Sequence, residues 1–237
     1  MKNSFQKFII TFAFLTISSI FSDDAAKVSF VVGKVSARST SDSKAAWKQL
    51  KKDDLVNSGE TIMTGNGSQV TLLYNGSEFK VAPNSTLVVK SLHNKDKDGE
   101  VEVSSGFAWF KLEKLGKKTF KATTPATTAG VRGTAFAALY DEKTKTAMNC
   151  ICDGKVEVAG SAKSTMVSRG SGSVVKAGEE KVDIVSYKGM FEKKTGAALP
   201  TFEKKVQESP AMANCLSCHT PKGWTAPGIL KDEKYGK

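Results

Sequence analysis

The sequence predicts an all-β protein of stacked short strands and hairpins, and three observations support this. From Lys27 to about Val185, apolar residues recur with a period of two. Dipeptides that accept positive φ separate these runs at the short intervals, about 8–12 residues, of sandwiches and barrels. No long amphipathic helical pattern interrupts them.

Taken in order, Val28, Phe30 and Val32 alternate with smaller or polar residues, Gly33 breaks the run, and Val35 and Ala37 resume it. The same period recurs in Val70-Thr71-Leu72-Leu73-Tyr74, Glu78-Phe79-Lys80-Val81 and Thr86-Leu87-Val88-Val89. It returns in Glu100-Val101-Glu102-Val103 and Lys155-Val156-Glu157-Val158. Turns are expected at Gly65-Asn66-Gly67, Asn75-Gly76, Pro83-Asn84, Ser105-Gly106, Asp153-Gly154 and Ala177-Gly178. Asn66, Asn75 and Asn84 also meet the N-x-Ser/Thr glycosylation pattern, but each sits where a turn is needed and is expected to serve it. Trp47 and Trp109 lie among apolar residues and are expected in the core. His93 heads a polar loop without metal-ligand spacing and is expected to be a solvated turn residue.

Both ends of the chain differ from this middle. Lys2 and Lys7 precede an apolar stretch from Phe8 to Phe21, about 14 residues, which is signal-peptide rather than membrane-span length. Cleavage is expected after Ser22, with export to the periplasm, cell envelope or medium and only peripheral contact with a membrane. Beyond Tyr187 the alternation stops; Pro200 and Pro210 punctuate a lysine-rich stretch with room for one short helix. The expected organisation is a signal peptide over residues 1–22, a β domain over 27–185, a linker over 186–210 and a cysteine-bearing tail over 211–237.

Charge and motifs then exclude several function classes. The 237-residue chain carries 35 Lys+Arg against 24 Asp+Glu, a formal charge of +11. The lysine pairs (Lys51-Lys52, Lys117-Lys118, Lys193-Lys194 and Lys204-Lys205) are dispersed and not interleaved with aromatic residues, so no nucleic-acid partner is expected. A cationic surface suits envelope polyanions. His93 and His219 are the chain's two histidines, and the sequence has no G-x-S-x-G elbow, P-loop or H-E-x-x-H motif. The chain is therefore expected not to be an enzyme.

Gly59-Glu60-Thr61-Ile62-Met63-Thr64-Gly65, Ser68-Gln69-Val70, Asn75-Gly76-Ser77 and Pro83-Asn84-Ser85 form one set of motifs. Gly106-Phe107-Ala108-Trp109-Phe110, Thr124-Pro125, Val131-Arg132-Gly133-Thr134-Ala135-Phe136 and Asp153-Gly154-Lys155-Val156-Glu157-Val158 form a second. Together, over roughly Lys27 to Val182, they resemble the FecR-type domain family. The resemblance implies an extracytoplasmic all-β domain of parallel, stacked hairpin-like elements. Regulatory members of that family place a cytoplasmic anti-sigma segment and a membrane span ahead of the domain. Here the leader runs directly into the β region, so the chain is similar to exported stand-alone members, with an envelope binding or scaffold role implied. Within the Val131–Phe136 motif, Gly133 is expected to permit a tight path into the next strand. Arg132 is expected to bond backbone carbonyls or a nearby acid.

Cys215-Leu216-Ser217-Cys218-His219 is the pattern that attaches c-type haem, with two thioether anchors and an adjacent axial imidazole. The stretch resembles the opening of a cytochrome c, although a whole domain of that kind continues much further. Met190 and Met212 are the upstream candidates for a sixth ligand. Cys150 and Cys152 complete the set of four cysteines, and three chemistries compete for the sulfurs. Covalent haem c uses Cys215, Cys218 and His219, and brings in a redox partner. A zinc or iron–sulfur site uses Cys150, Cys152, Cys215 and Cys218 or His219. Disulfides between the pairs would fasten the tail to the β domain, and the chain is then expected to be a non-haem structural or adhesion-type surface protein. A direct Cys150–Cys152 bond is disfavoured, because alternate strand residues sit about 7 Å apart.

Overall fold

The computed structural model describes residues 25–94, 97–114, 116 and 118–186. Its first strands are β1 (Ala25–Val32), β2 (Val35–Ser39), β3 (Lys48–Gln49), β4 (Leu55–Asn57), β5 (Glu60–Thr64), β6 (Gln69–Tyr74), β7 (Ser77–Val81) and β8 (Thr86–Ser91). The long β9 (Gly99–Lys111) follows, then β10 (Phe120–Thr123), β11 (Thr128–Val131), β12 (Ala135–Asp141) and β13 (Thr146–Asp153). The series closes with β14 (Lys155–Ala159), β15 (Ser164–Ser168), β16 (Ser171–Lys176) and β17 (Asp183–Ser186). The described chain is all-β, as the alternation predicts, and none of its residues forms a helix long and apolar enough to cross a membrane.

The strands form two layers that share β9. One layer runs β4-β1-β6-β7-β9-β12-β13-β16-β17. The other runs β3-β2-β5-β8-β9-β10-β11-β14-β15. Among the described residues every pairing is antiparallel except β9–β10. The ladder therefore departs from the parallel arrangement that the resemblance implied. Tight turns are the reason, because a two-residue loop returns the chain beside itself in the opposite direction. Asn75 (φ 45°) and Gly76 (φ 76°) make such a turn between β6 and β7. Asn84 (φ 53°) is also left-handed, and Asn66 lies in the Gly65–Gly67 turn, so the three asparagines sit in turns as expected.

One core lies between the layers. Phe79, Phe110, Phe120 and Phe136 are fully buried at its centre, with ring centroids 5.6 Å apart for Phe79–Phe110 and 5.1 Å for Phe110–Phe136. Burying each such side chain contributes about 1.5–3 kcal/mol. In β9, Val101 and Val103 face this core at one end and Ala108 and Phe110 at the other, so the inward parity changes along the strand. A register shift opposite Thr86/Leu87, with Gly106 at φ 76°, makes the change.

Two expectations are corrected here. His93 is buried, not solvated: its ring meets Tyr74 edge-on at 5.1 Å and Phe120 at 6.2 Å. The preceding Leu92 is fully buried and donates its N–H to Ser58 Oγ at 2.9 Å, which draws the start of the polar loop inward. Burial pushes the His93 imidazole below its usual pKa. Trp47 lies outside the core, 36% exposed, with the Arg38 guanidinium 4.5 Å from its ring centroid.

Candidate functional site

The motif residues of the first half bind turns to one another. Thr64 Oγ1 donates to Ala82 O at 2.6 Å and accepts the Ser85 N–H at 2.9 Å. Ser85 Oγ donates to Pro83 O at 3.1 Å and accepts the Phe107 N–H at 2.9 Å. Ser68 Oγ accepts the Lys34 N–H at 2.8 Å. These hydroxyls satisfy turn amides and carbonyls that no ladder reaches, which is why small hydroxylated residues stand there. Thr124 and Thr127 repeat the device: Thr124 Oγ1 accepts the Thr127 N–H at 2.9 Å. Asn149 then joins the second lock, its Nδ2 donating to Thr127 Oγ1 at 3.3 Å and Ser173 Oγ at 3.2 Å.

The Val131–Phe136 motif is also structural. Gly133 adopts φ 62° and turns the chain into β12. Arg132 is exposed and has no hydrogen-bond or ion-pair partner among the described residues, contrary to its expected role as a turn clamp. It leaves the turn because the preceding Val131 side chain takes the inward position of β11.

A second apolar cluster lies on the opposite side of the first layer, facing away from the shared core. It comprises Phe107 and Trp109 of β9, Ala135, Ala137 and Leu139 of β12, and Met148, Cys150 and Cys152 of β13. Register places them in rows: Trp109 beside Ala137 beside Cys150 beside Gly172, and Phe107 beside Leu139 beside Met148 beside Val174. In the first row the small Ala137 separates Trp109 from Cys150, and Gly172 stands on the far side of Cys150. Lys80 borders Trp109, with its ammonium 4.7 Å from the Trp109 ring centroid and 3.1 Å from Glu78.

Cys150 and Cys152 thus share one face, both buried and not bonded to each other, as strand alternation predicts. Their neighbours supply no further ligand: among the described residues no group of three His, Cys, Asp or Glu side chains could hold a metal ion. A site built on this pair needs donors from elsewhere. Cys215, Cys218 and His219, with Met190, Met212, the leader and the tail, lie outside the described residues. The sequence reading missed the outer cluster although its signal was present. Ala135-Phe136-Ala137-Ala138-Leu139-Tyr140 is apolar at every position, the mark of a strand covered on both faces, whereas a strand with one wet face alternates.

Fold and face together define an all-β, two-layer module whose hairpins are tied by turn hydroxyls, with a second apolar surface on one layer. The family model described as FecR protein matches residues 60–157 of this chain. That match spans the first hydroxyl lock, β9 and the cysteine strand. No curated protein matches the chain. Two crystal structures of a "putative anti-sigma factor" from Parabacteroides distasonis ATCC 8503, at 1.65 Å and 2.50 Å, are similar at TM-scores of 0.48 and 0.47 with 16% identity. The likeness covers 53% of this chain and 59% of theirs. At this level it says nothing of what the chain binds.

Proposed function

We propose that this chain is an exported, non-enzymatic envelope module whose β domain binds or scaffolds and whose tail carries covalent haem c. The observation that carries the proposal is Cys215-Leu216-Ser217-Cys218-His219 behind an export leader, since thioether attachment takes place outside the cytoplasm. Cys215 and Cys218 would be the thioether anchors and His219 would ligate the iron. The outer apolar face supports this reading, because Phe107, Trp109 and Met148 form the water-poor surface that a porphyrin edge requires. The group would supply one-electron redox chemistry, for transfer to a protein partner or for sensing.

The pairing of Cys150 and Cys152 on one buried face supports a second reading, in which two thiols from each pair hold zinc or an iron–sulfur cluster or form disulfides. A haem stain on a denaturing gel and a reduced visible spectrum decide between them, using protein from a host with c-type maturation. Stain that survives denaturation and disappears in Cys215→Ala and Cys218→Ala supports haem. A colourless, unstained protein rejects it, and metal analysis with thiol counting then separates a bound ion from disulfides.

A further inference from the structure

We propose that the outer apolar face of the first layer is the docking site for this chain's own C-terminal segment, residues 187–237. The proposal concerns where the tail sits, and it holds whether or not the tail carries haem.

Three observations lead to it. The face is apolar, with Phe107, Trp109, Leu139 and Met148 beside Ala137 and Cys150, and Trp109 is 5% and Cys150 0% exposed. Within the sheet β12 is flanked by β9 and β13, whose backbones lie beside it and not over its outer side. Beyond β7, the same side of the same sheet is open to water: Phe30 of β1 is 43% and Leu73 of β6 46% exposed.

The place where the described chain ends selects the occupant. β17 closes the sheet beside β16, which pairs with the cysteine strand β13. From β17 to β9 is about 19 Å across the strands, which about six residues of extended chain would cover. Fifty-one residues follow Ser186, and they include Phe191, Leu199, Phe202, Leu216, Trp224 and Leu230, enough apolar side chains to cover the face. The leader-like stretch precedes β1, on the far side of the sheet from β17, and the proposed export would remove it. Docking places the segment that bears Cys215 and Cys218 on the surface that bears Cys150 and Cys152.

The test uses the full-length exported protein with a photo-reactive benzoylphenylalanine introduced at Phe107 and, as a control, at Leu73. Irradiation followed by peptide mapping should link Phe107 to peptides of residues 187–237 within the same molecule, and Leu73 to none of them. Links from Phe107 to a second copy, or to no peptide of residues 187–237, would overturn the proposal. As a variant that keeps the native cluster side chains in place except one, Ala137→Glu should speed tryptic cleavage at Lys193–Lys205 at least tenfold in otherwise folded protein, while Leu73→Glu leaves the rate unchanged. Equal rates in the two variants would also overturn it. A protein that stains for haem but shows no tail link refutes the docking and leaves the proposed function standing. A linked but unstained protein does the reverse.

Discussion

The outward side of the first layer contains two regions with opposite character. At the β1–β6 end, Phe30 and Leu73 are apolar yet open to water. At the β9–β12–β13 end, Phe107, Trp109, Leu139 and Met148 are buried although they point the same way. Both regions rest on the same core, so neither propensity nor the shared interior explains the contrast. Their strand sequences do differ. β12 is apolar on both sides, whereas β7 between the two regions sends Glu78 and Lys80 outward as an ion pair. A sheet face marks its covered part through the loss of alternation more than through the presence of large apolar residues.

The largest effect that would sharpen this comparison is on Trp109. Trp109→Ala should cost about 3–5 kcal/mol in urea unfolding, as for a buried aromatic, and Leu73→Ala under about 1 kcal/mol. Equal losses would make the two regions equivalent and remove the contrast. A smaller effect is expected at Gly106, whose left-handed backbone carries β9 from one layer into the other and thereby aims Phe107 and Trp109 outward. A Cβ there would lie 2.7 Å from Asn84 O, so Gly106→Ala should cost about 1–3 kcal/mol. An unchanged melting temperature would show that the layer crossing does not depend on that conformation.

The smallest expected effect separates the interior from the outer face. Burial lowers the His93 pKa, so the unfolded chain takes up a proton more readily than the folded one. Stability should be full above the ordinary value of 6.5 and decline as pH falls from there towards the lower folded value. His93→Phe should flatten that slope, and chemical denaturation at a series of pH values measures it. A slope that persists in His93→Phe would assign it to carboxylates.

Much of the fold was legible in the sequence. The runs at Val70–Tyr74, Glu78–Val81 and Lys155–Val158 became strands, and Asn75-Gly76 closed the hairpin expected of it. Local chemistry suffices there, because alternation and positive-φ residues act within a few positions. His93 and Trp47 were misjudged for the opposite reason: a polar loop was drawn inward by a distant Ser58, and an apolar neighbourhood in sequence became an exposed loop in space. The candidate site divided in the same way. The Cys-Leu-Ser-Cys-His pattern is a proposal read from five consecutive residues, whereas the face around Cys150 and Cys152 exists only once three strands align.

By itself, the sequence determined that this chain is built of short strands and where its turns fall. Each of these is set by spacing along the backbone. Only the tertiary structure decided that the motif hydroxyls tie turns to one another, that β9 serves both layers, and that Trp109, Ala137 and Cys150 lie side by side. Residues 28 and 13 positions apart in the chain become neighbours through strand register, and register is settled by the whole sheet packing on its core.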